Sequence, residues 1–331
     1  MNENVYSTDL RIHGQVYKVV DAIEYITLAD SFVKNKIGTG HGEAKLYVGN
    51  QSDSLSRFFE SLDTDNCFFC KKDFSAFLAD AEPEYRNPQQ EYSHKAQMAE
   101  KFDTLKSKLE SFEKEVLRFT LYRVDVAPPR VYMNSCSEYY DYMRAVGLAN
   151  ISYLSVLKLI DKNDKTHYYF KVFIDYKPDI IGYQTMEEEQ QAEEIGSKAI
   201  SEKKKQTLIN ARVGQGEYRN KLLEECPFCP FTMVNDERLL IASHIKPWAK
   251  SNDVEKIDPK NGFMFTPTYD KLFDKGFITF NNDKTLIVSP WISPMNQKRL
   301  GIFSGKNLPM LPMDEKREVY LKYHREYIFK G

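Results

Sequence analysis

Four side chains in one segment of the chain could do chemistry on a phosphate ester. The segment ASHIKPWAKSNDVEKIDPKNGFMFTPTYDKLFDKGFITF, residues 242–280, contains His244, Asn261, Asp270 and Asp274. An imidazole titrates near neutral pH, so the histidine could take a proton from water. A cation held by the two carboxylates could neutralise the charge that develops on the phosphorus oxygens. The residue types therefore suggest hydrolysis of a phosphate ester.

The segment predicts a strand, a loop, a second strand and a helix. RLLIASHI, at 238–245, is apolar enough for a buried strand, which Pro247 ends because proline cannot donate to a strand ladder. GFMF is a second short strand, and Pro267 suits the first turn of a helix that runs to Gly276. The two aspartates are four residues apart on that helix, so they lie on one face.

Each of these residues also has a plainer interpretation. The two aspartates repel each other unless a cation lies between them, but they could be solvated acids that flank Leu272 and Phe273. A single histidine at a strand end is often structural. If a cation is held, the hard carboxylate oxygens favour Mg²⁺ over zinc, with water and phosphate oxygen as its other ligands.

The same stretch resembles the HNH, or ββα-metal, endonuclease motif. LLIASHIKPW followed by DPKNGFMFTPTYDKLFDKGFITF is similar to the HNH modules of bacterial restriction endonucleases. The resemblance implies that His244 is the general base and that Asn261 braces the loop bearing it. It also implies that Asp270 and Asp274 bind Mg²⁺ or another divalent ion such as Mn²⁺. The expected products carry 5′-phosphate and 3′-hydroxyl ends.

The chain departs from the broad HNH pattern at two points. Many HNH enzymes have an Asp or His ligand directly before the general base, where this chain has Ser243. Many also hold a structural zinc with two C-x-x-C pairs. Cys226 and Cys229 in ECPFCPF match the first pair, but the second would fall near Thr266 and Tyr269, where there is no cysteine. A zinc site needs about four ligands, so these two cysteines are either zinc ligands or buried thiols.

The N-terminal half contains another C-x-x-C pair. Cys67 and Cys70 in NCFFCKK could complete a four-cysteine site only if the N-terminal domain folds back against the nuclease module. Five cysteines, four of them in close pairs, argue against a disulfide framework.

Basic residues near the motif are the candidates for contact with DNA. QTLINARVGQGEYRNKLL, at 206–223, resembles the segment that precedes the nuclease module in these restriction enzymes, and YLKYHREYIFKG resembles their C-terminal helix. Arg212 and Arg219 could pair with phosphate oxygens, and Lys246 is a third predicted DNA-binding residue. A glycine-bearing turn that leads into a helix is the alternative for the first segment.

The predicted fold class is α+β with two domains. An N-terminal α+β domain with a long helix, residues 1–190, would recognise DNA, and residues 191–331 would form the ββα-metal (HNH) nuclease domain with its preceding linker helix. The charged stretch MEEEQQAEEIGSKAISEKKKQ has almost no large apolar side chains, so it predicts a solvated connector at the boundary.

Two patterns in the N-terminal domain predict particular elements. The apolar residues from Met98 to Phe119 alternate steps of four and three, which predicts a helix of about 25 residues. Its stripe is either a coiled-coil dimer seam or a face packed on its own domain. Residues 153–161 and 167–175, rich in β-branched and aromatic side chains, predict a β-hairpin.

Composition and charge limit the protein class. With 42% hydrophobic and 28% charged residues the chain should fold, and it shows neither a signal peptide nor a membrane-spanning run, so we expect a cytoplasmic protein. The net charge of -2 hides an asymmetry: from Lys204 onward it is about +6, against about −8 before. A polyanion would prefer the C-terminal part.

Taken together, the sequence predicts a metal-dependent endonuclease of restriction type that cuts double-stranded DNA. One such module cuts one strand, so a double-strand break would need a homodimer. Two alternatives stay open. The module could be catalytically inactive in a DNA-binding or regulatory protein, or the enzyme could act on RNA or single strands.

Overall fold

A computed structural model describes residues 9–38, 44–51, 57–59, 64–124, 126–174 and 218–331. The chain divides into two compact units. Of the described residues, the first unit contains those up to 174 together with Ser293–Asn296, and the second contains the remainder of 218–331. The predicted boundary near residue 190, the charged connector and Arg212 lie outside the described residues.

The first unit is built on one eight-stranded sheet. Its strands are β1 (Asp9–Ile12), β2 (Gln15–Thr27), β3 (Leu46–Asn50), β4 (Thr64–Cys70), β5 (Val116–Val124), β6 (Arg130–Asn134), β7 (Ser152–Ile160) and β8 (Thr166–Ile174). The strand order is β1-β2-β7-β8-β4-β5-β6-β3, and β4 pairs with β8 in parallel while the other neighbours are antiparallel. Strands β7 and β8 are buried on both faces, which accounts for their nearly continuous apolar sequences.

The predicted hairpin is confirmed. Strands β7 and β8 pair antiparallel from Ser152 opposite Ile174 to Ile160 opposite Thr166. The side chain of Asp161 accepts hydrogen bonds from the backbone N–H groups of residues 163 and 165, and so stabilises the turn.

The helix predicted from Met98 to Phe119 is wrong in length. The first unit contains α1 (Lys71–Arg86), α2 (Met98–Glu110) and α3 (Glu138–Val146). Helix α2 ends at Glu110, and Phe119 lies in β5, whose run VLRFTLYRV suits a strand and pairs with β4. The helical residues of the stripe are buried in the core of their own unit. The stripe therefore does not provide the dimer seam.

The chain from residue 218 onward contains the predicted strand, loop, strand and helix. Residues 218–225 are helical, and the elements that follow are β9 (Ile241–His244), α4 (Asp253–Ile257), β10 (Gly262–Phe265), α5 (Pro267–Asp274), β11 (Ile278–Phe280), β12 (Leu286–Val288), α6 (Pro294–Leu300) and α7 (Glu315–Tyr327). The first strand is shorter than the predicted 238–245, because a 3-10 turn occupies Glu237–Leu239. The mixed α and β fold class is confirmed.

A cluster of phenylalanine rings holds the strand and helix together. Phe263 and Phe265 of β10 pack against Phe273 of α5 and Phe280 of β11, with ring centroids 5.5 to 6.1 Å apart. All four are fully buried. Gly276 lies two residues after the end of α5, and its φ of +70° and its close approach to the Ile328 carbonyl both require glycine.

None of the helices in the described parts of the chain is long and apolar enough to cross a membrane.

Candidate active site

His244 and Asn261 lie at the same end of the β9–β10 hairpin. The two strands pair antiparallel, with His244 opposite Gly262 and Ser243 opposite Phe263. Asn261 directly precedes β10, so the loop between the strands begins at the histidine and ends at the asparagine. This register brings together two residues that are separated by 17 positions in the sequence.

Asn261 is fully buried and makes four hydrogen bonds to the loop. Its Oδ1 accepts from the backbone N–H of Lys246 at 2.8 Å. Its Nδ2 donates to the carbonyls of Lys246 at 3.2 Å and Glu255 at 3.0 Å, and to the Ser251 hydroxyl at 3.3 Å. The side-chain amide thus connects both halves of the loop.

The imidazole of His244 has a defined orientation. Its Nε2 lies 3.0 Å from the carbonyl oxygen of Lys256. A carbonyl can only accept, so Nε2 carries the proton in the neutral ring and Nδ1 keeps its lone pair. Burial lowers the pKa of His244, although the hydrogen bond to Lys256 raises it. The ring is therefore neutral at neutral pH, with Nδ1 able to accept a proton.

Two aromatic rings enclose this imidazole. Tyr218 stacks on it with ring centroids 4.0 Å apart, and Trp248 meets it edge-on at 5.6 Å. Sequence reasoning did not identify either ring as part of the site. Tyr218 lies 26 positions before His244, and no spacing rule links the two. Trp248 belongs to the HIKPW motif, which is a signal that could have identified it.

Asp270 is a partly buried carboxylate next to the strand end. The hydroxyl of Ser243 hydrogen-bonds to it, and the charge of Asp274 acts on it from one turn along α5. Burial and, to a smaller extent, the charge of Asp274 raise the pKa of Asp270 to about 6, against the opposing effect of the Ser243 hydrogen bond. Asp274 is exposed. The structure thus places Asp270 beside the residue that precedes His244.

This pair of carboxylates suits a magnesium-like ion. A desolvated carboxylate with a raised pKa gains from a nearby cation. Mg²⁺ usually takes one or two protein carboxylates and fills its other positions with water and phosphate oxygen. Nowhere in the described chain do three or more His, Cys, Asp or Glu side chains gather closely enough to hold a metal ion. Among the described residues, the site therefore offers two carboxylates, the ligand type that Mg²⁺ usually takes from proteins.

The surroundings of Cys226 and Cys229 do not fit zinc. Both thiols are buried; Cys226 Sγ donates to the Phe228 carbonyl, and Cys229 Sγ lies 3.7 Å from Thr266 Oγ1. Burial raises the pKa of Cys226, which disfavours the thiolate that zinc needs. Thr266 thus occupies the position where a further ligand was expected.

The other cysteine pair lies inside the first unit. Cys67 and Cys70 belong to β4, and both are fully buried. Burial raises the pKa of Cys70 to about 11, so it is a neutral thiol. Neither pair is part of a three-ligand group within the described residues.

The two described residues predicted to bind DNA are engaged within the protein. Arg219 donates to the carbonyls of Leu240 at 2.8 Å and Glu237 at 2.6 Å. Lys246 Nζ donates to both carboxylate oxygens of Glu255, at 2.6 and 2.8 Å. Both side chains thus hold the segments on either side of β9, and their contact with DNA stays a prediction.

An ion network around one buried arginine supports the loop from the side of the C-terminal helix. Arg317 of α7 is 2% exposed and donates to Glu225 at 2.7 Å, to Asp314 and to the Pro259 carbonyl at 3.2 Å. Lys260 Nζ lies 2.9 Å from the same glutamate. Sequence reasoning assigned the C-terminal helix to the module but did not single out its arginine, because an arginine on a surface-like helix pattern carries no sign of burial.

Comparison with known proteins agrees with this geometry. Residues 229–281 match the family model of the HNH endonucleases. The match covers the hairpin and α5, and so places the HNH module in the C-terminal region. No curated protein matches the chain. The family match indicates a nuclease and hence a nucleic acid substrate.

Proposed function

We propose that the protein is a metal-dependent DNA endonuclease of restriction or defence type. The observation that carries this proposal is the arrangement of His244. Its Nε2 is committed to the Lys256 carbonyl, its Nδ1 keeps a lone pair, and its chain neighbour Ser243 is hydrogen-bonded to Asp270. A neutral base whose chain neighbour contacts a partly buried carboxylate is a combination suited to metal-assisted phosphodiester hydrolysis.

The residues of the chain have separate roles in the proposed reaction. Nδ1 of His244 takes a proton from the water that attacks phosphorus. The Lys256 carbonyl holds the resulting imidazolium through Nε2–H, and Asn261 keeps that carbonyl in place by closing the loop. The products would carry 5′-phosphate and 3′-hydroxyl ends.

Asp270 and Asp274 are the residues that would hold the divalent ion, with Mg²⁺ or Mn²⁺ the expected species. When bound, such an ion stabilises the negative charge that develops on the phosphorus oxygens and on the departing oxygen. Without it, Asp270 is a carboxylate whose charge is poorly solvated. This supports a site that is preformed for a cation.

The remainder of the proposal concerns the substrate and the assembly. The first unit would recognise DNA, and residues from 191 onward would cut it. Two copies would act together on the two strands of a duplex, since one module cuts one strand. The surplus of basic residues after Lys204 favours binding of a polyanion.

A plasmid assay tests the catalytic proposal. We expect the wild-type protein with Mg²⁺ or Mn²⁺ to nick or linearise supercoiled DNA, and His244→Ala to reduce the rate by about 10²- to 10⁴-fold. His94→Ala, which changes an exposed histidine of the first unit, is the matched control and should cut normally. Equal activity of His244→Ala and wild type would refute the role of the histidine.

Two further outcomes would favour the alternatives. If the wild-type protein binds DNA but cuts no plasmid or genomic DNA, methylated DNA included, the module is a binding or regulatory one. If RNA or single strands compete better than duplex DNA and are cut faster, the substrate class is wrong. Sequencing of cut ends from methylated and unmethylated genomic DNA would test the restriction assignment and the predicted end chemistry.

A further inference from the structure

Tyr218 covers one face of the His244 imidazole. The two rings are 4.0 Å apart between centroids and inclined by 17°, and the tyrosine is 1% exposed. Trp248 meets the same imidazole at 83°, an edge-to-face arrangement, so of these two aromatic rings only Tyr218 stacks parallel to the imidazole. The stack is therefore the contact that sets the plane of the imidazole.

The hydroxyl of Tyr218 ties this ring to the end of the hairpin. It donates to the carbonyl of Asn261 at 3.1 Å, and the carbonyl of Ser243 lies 3.5 Å away. These carbonyls belong to the residues that end the loop and precede the histidine. Burial raises the pKa of this phenol well above its ordinary value, so the hydroxyl keeps its proton and remains a donor.

Gly262 leaves the space that Tyr218 occupies. Its backbone is extended, with φ −166° and ψ 168°, a conformation open to any residue. A Cβ at this position would lie 1.8 Å from Tyr218 Oη and 2.9 Å from Cζ. The glycine after Asn261 is therefore required by the neighbouring tyrosine and not by its own dihedral angles.

A hydrogen bond at Nε2 does not by itself fix where Nδ1 points. The ring is covalently attached at Cγ and hydrogen-bonded to the Lys256 carbonyl at Nε2. A tilt about the line that joins Cγ and Nε2 preserves the attachment and the hydrogen bond. Nδ1 lies off that line, so such a tilt moves it. Contact with a flat ring face opposes the tilt. The bond to Lys256 and the stack on Tyr218 together define the direction of the Nδ1 lone pair.

We propose that Tyr218 is a positioning residue for His244, acting through ring stacking, and that Gly262 serves to admit it. The proposal rests on the proposed role of His244 as the base. The stack also fills the core, so a purely structural role has to be separated from positioning. Misplacing a reacting group by about 1 Å can cost about 100-fold in rate, whereas lost packing lowers stability without a selective effect on kcat.

The principal experiment compares Tyr218→Leu with Tyr218→Phe in the full-length protein. We expect Tyr218→Phe, which keeps the ring face, to retain kcat within about 5-fold. Tyr218→Leu should lower kcat about 100-fold while KM for DNA changes less than about 3-fold. Tyr327→Leu, at an exposed tyrosine of α7, is the matched control and should leave both constants unchanged.

A spectroscopic measurement tests the stack without the reaction. In metal-free protein labelled at its six histidines, the ring protons of His244 are assigned by their loss in His244→Ala. They should be shifted upfield by the facing ring in the wild type and in Tyr218→Phe, and lose that shift in Tyr218→Leu. An unchanged shift in the leucine variant would overturn the proposal.

A second pair of variants keeps the test decisive if Tyr218→Leu does not fold. Gly262→Ala should lose stability and activity, and Tyr218→Phe should partly restore both in the double variant, because it removes the oxygen nearest the new methyl group. Absence of any rescue would overturn the assignment of Gly262.

If Tyr218→Leu retains kcat while His244→Ala is inactive, the positioning role of Tyr218 fails and the proposed function stands. If His244→Ala is active, the proposed function itself fails.

Discussion

The side chain of Asn261 and the backbone of Lys246 form a closed ring of two hydrogen bonds. Oδ1 accepts the Lys246 N–H at 2.8 Å, and Nδ2 donates to the Lys246 carbonyl at 3.2 Å. The same Nδ2 also reaches the carbonyl of Glu255, next to the residue that holds His244. One buried amide therefore connects the start of the loop, its far end and the histidine.

Asn261→Asp tests this amide by replacing a donor with a charge of nearly the same shape. The variant loses every Nδ2 bond and directs a buried carboxylate at two carbonyl oxygens. We expect it to lower the free energy of unfolding by about 3 kcal/mol and to abolish cleavage. Urea denaturation and the plasmid assay measure the two effects.

Asn252→Asp is the matched control on the same loop. Asn252 caps α4 by accepting from the backbone N–H groups of Val254 and Glu255. An aspartate accepts these bonds equally well, so the free energy of unfolding should change by less than about 0.5 kcal/mol. Similar losses in the two variants would mean that the loop tolerates no acid anywhere and that the Asn261 amide has no special role.

Arg317→Leu should disrupt the network that supports the loop from α7. The guanidinium is buried between Glu225 and Asp314 and reaches the Pro259 carbonyl. Without it, Glu225 and Asp314, whose side chains are 29% and 35% exposed, keep only Lys260 as a charged partner within the described chain. The Pro259 carbonyl also loses this donor, so we expect a loss of about 1 to 3 kcal/mol. Thermal and urea unfolding would measure the loss. Lys322→Ala, on an exposed pair of the same helix, should cost less than about 0.5 kcal/mol.

Asp270→Asn should stabilise the metal-free protein while abolishing activity. The pKa of Asp270 is raised to about 6 by burial and by Asp274, so the folded state disfavours its ionised form. This penalty is absent below about pH 4 and complete above about pH 6 to 7, where it amounts to about 2 kcal/mol after allowance for partial exposure. The variant should therefore gain stability over the wild type at pH 8 but not at pH 4.

Added Mg²⁺ or Mn²⁺ provides the counterpart of this prediction. The ion should raise the melting temperature of the wild type at pH 8, since it binds the folded state. It should have no such effect on Asp270→Asn. An equal rise in both proteins would show that the ion binds elsewhere.

The local pattern of the HNH segment was sufficient to predict its secondary-structure elements. The short run GFMF, Pro267 and Gly276 correctly predicted the second strand and the helix, and the family resemblance led to His244 and Asn261, whose roles stay predictions. The contacts of Tyr218 and Arg317 could not be predicted, because both reach the loop from distant parts of the sequence. Such contacts depend on tertiary packing, which periodicity does not encode.

The N-terminal helix shows why periodicity failed elsewhere. Its apolar spacing continues past Glu110 into β5, where Val116 and Phe119 keep the helical step by coincidence. The β-branched and aromatic residues after Glu115 favour a strand, and pairing with β4 decides between the two. Composition was thus the better guide at this boundary than spacing.

His324 should make the protein less stable in mild acid. Its ring is fully buried, stacks on Phe273 at 4.0 Å and bonds the Thr279 hydroxyl and the Phe273 carbonyl. Burial and, to a smaller extent, the neighbouring Arg325 lower the pKa of His324 to about 4, against the opposing effect of the Phe273 hydrogen bond. The folded state therefore requires the neutral imidazole, whereas the unfolded chain protonates near pH 6.5.

The sign of the effect follows from which state binds the proton. Above pH 6.5 both states are neutral and His324 contributes no pH dependence; between pH 6.5 and 4 only the unfolded chain takes up the proton, so stability falls as pH falls. We expect a loss of about 2 kcal/mol between pH 7.5 and 5 from this residue. His244, whose pKa is also lowered, acts in the same direction, so the informative quantity is the difference between wild type and His324→Phe in urea unfolding. His324→Phe should have a lower free energy of unfolding than the wild type at pH 7.5 but should lose less of it on acidification. His94→Ala should keep the wild-type dependence of the free energy of unfolding on pH. An unchanged pH dependence in His324→Phe would contradict the burial of a neutral imidazole between α7 and α5.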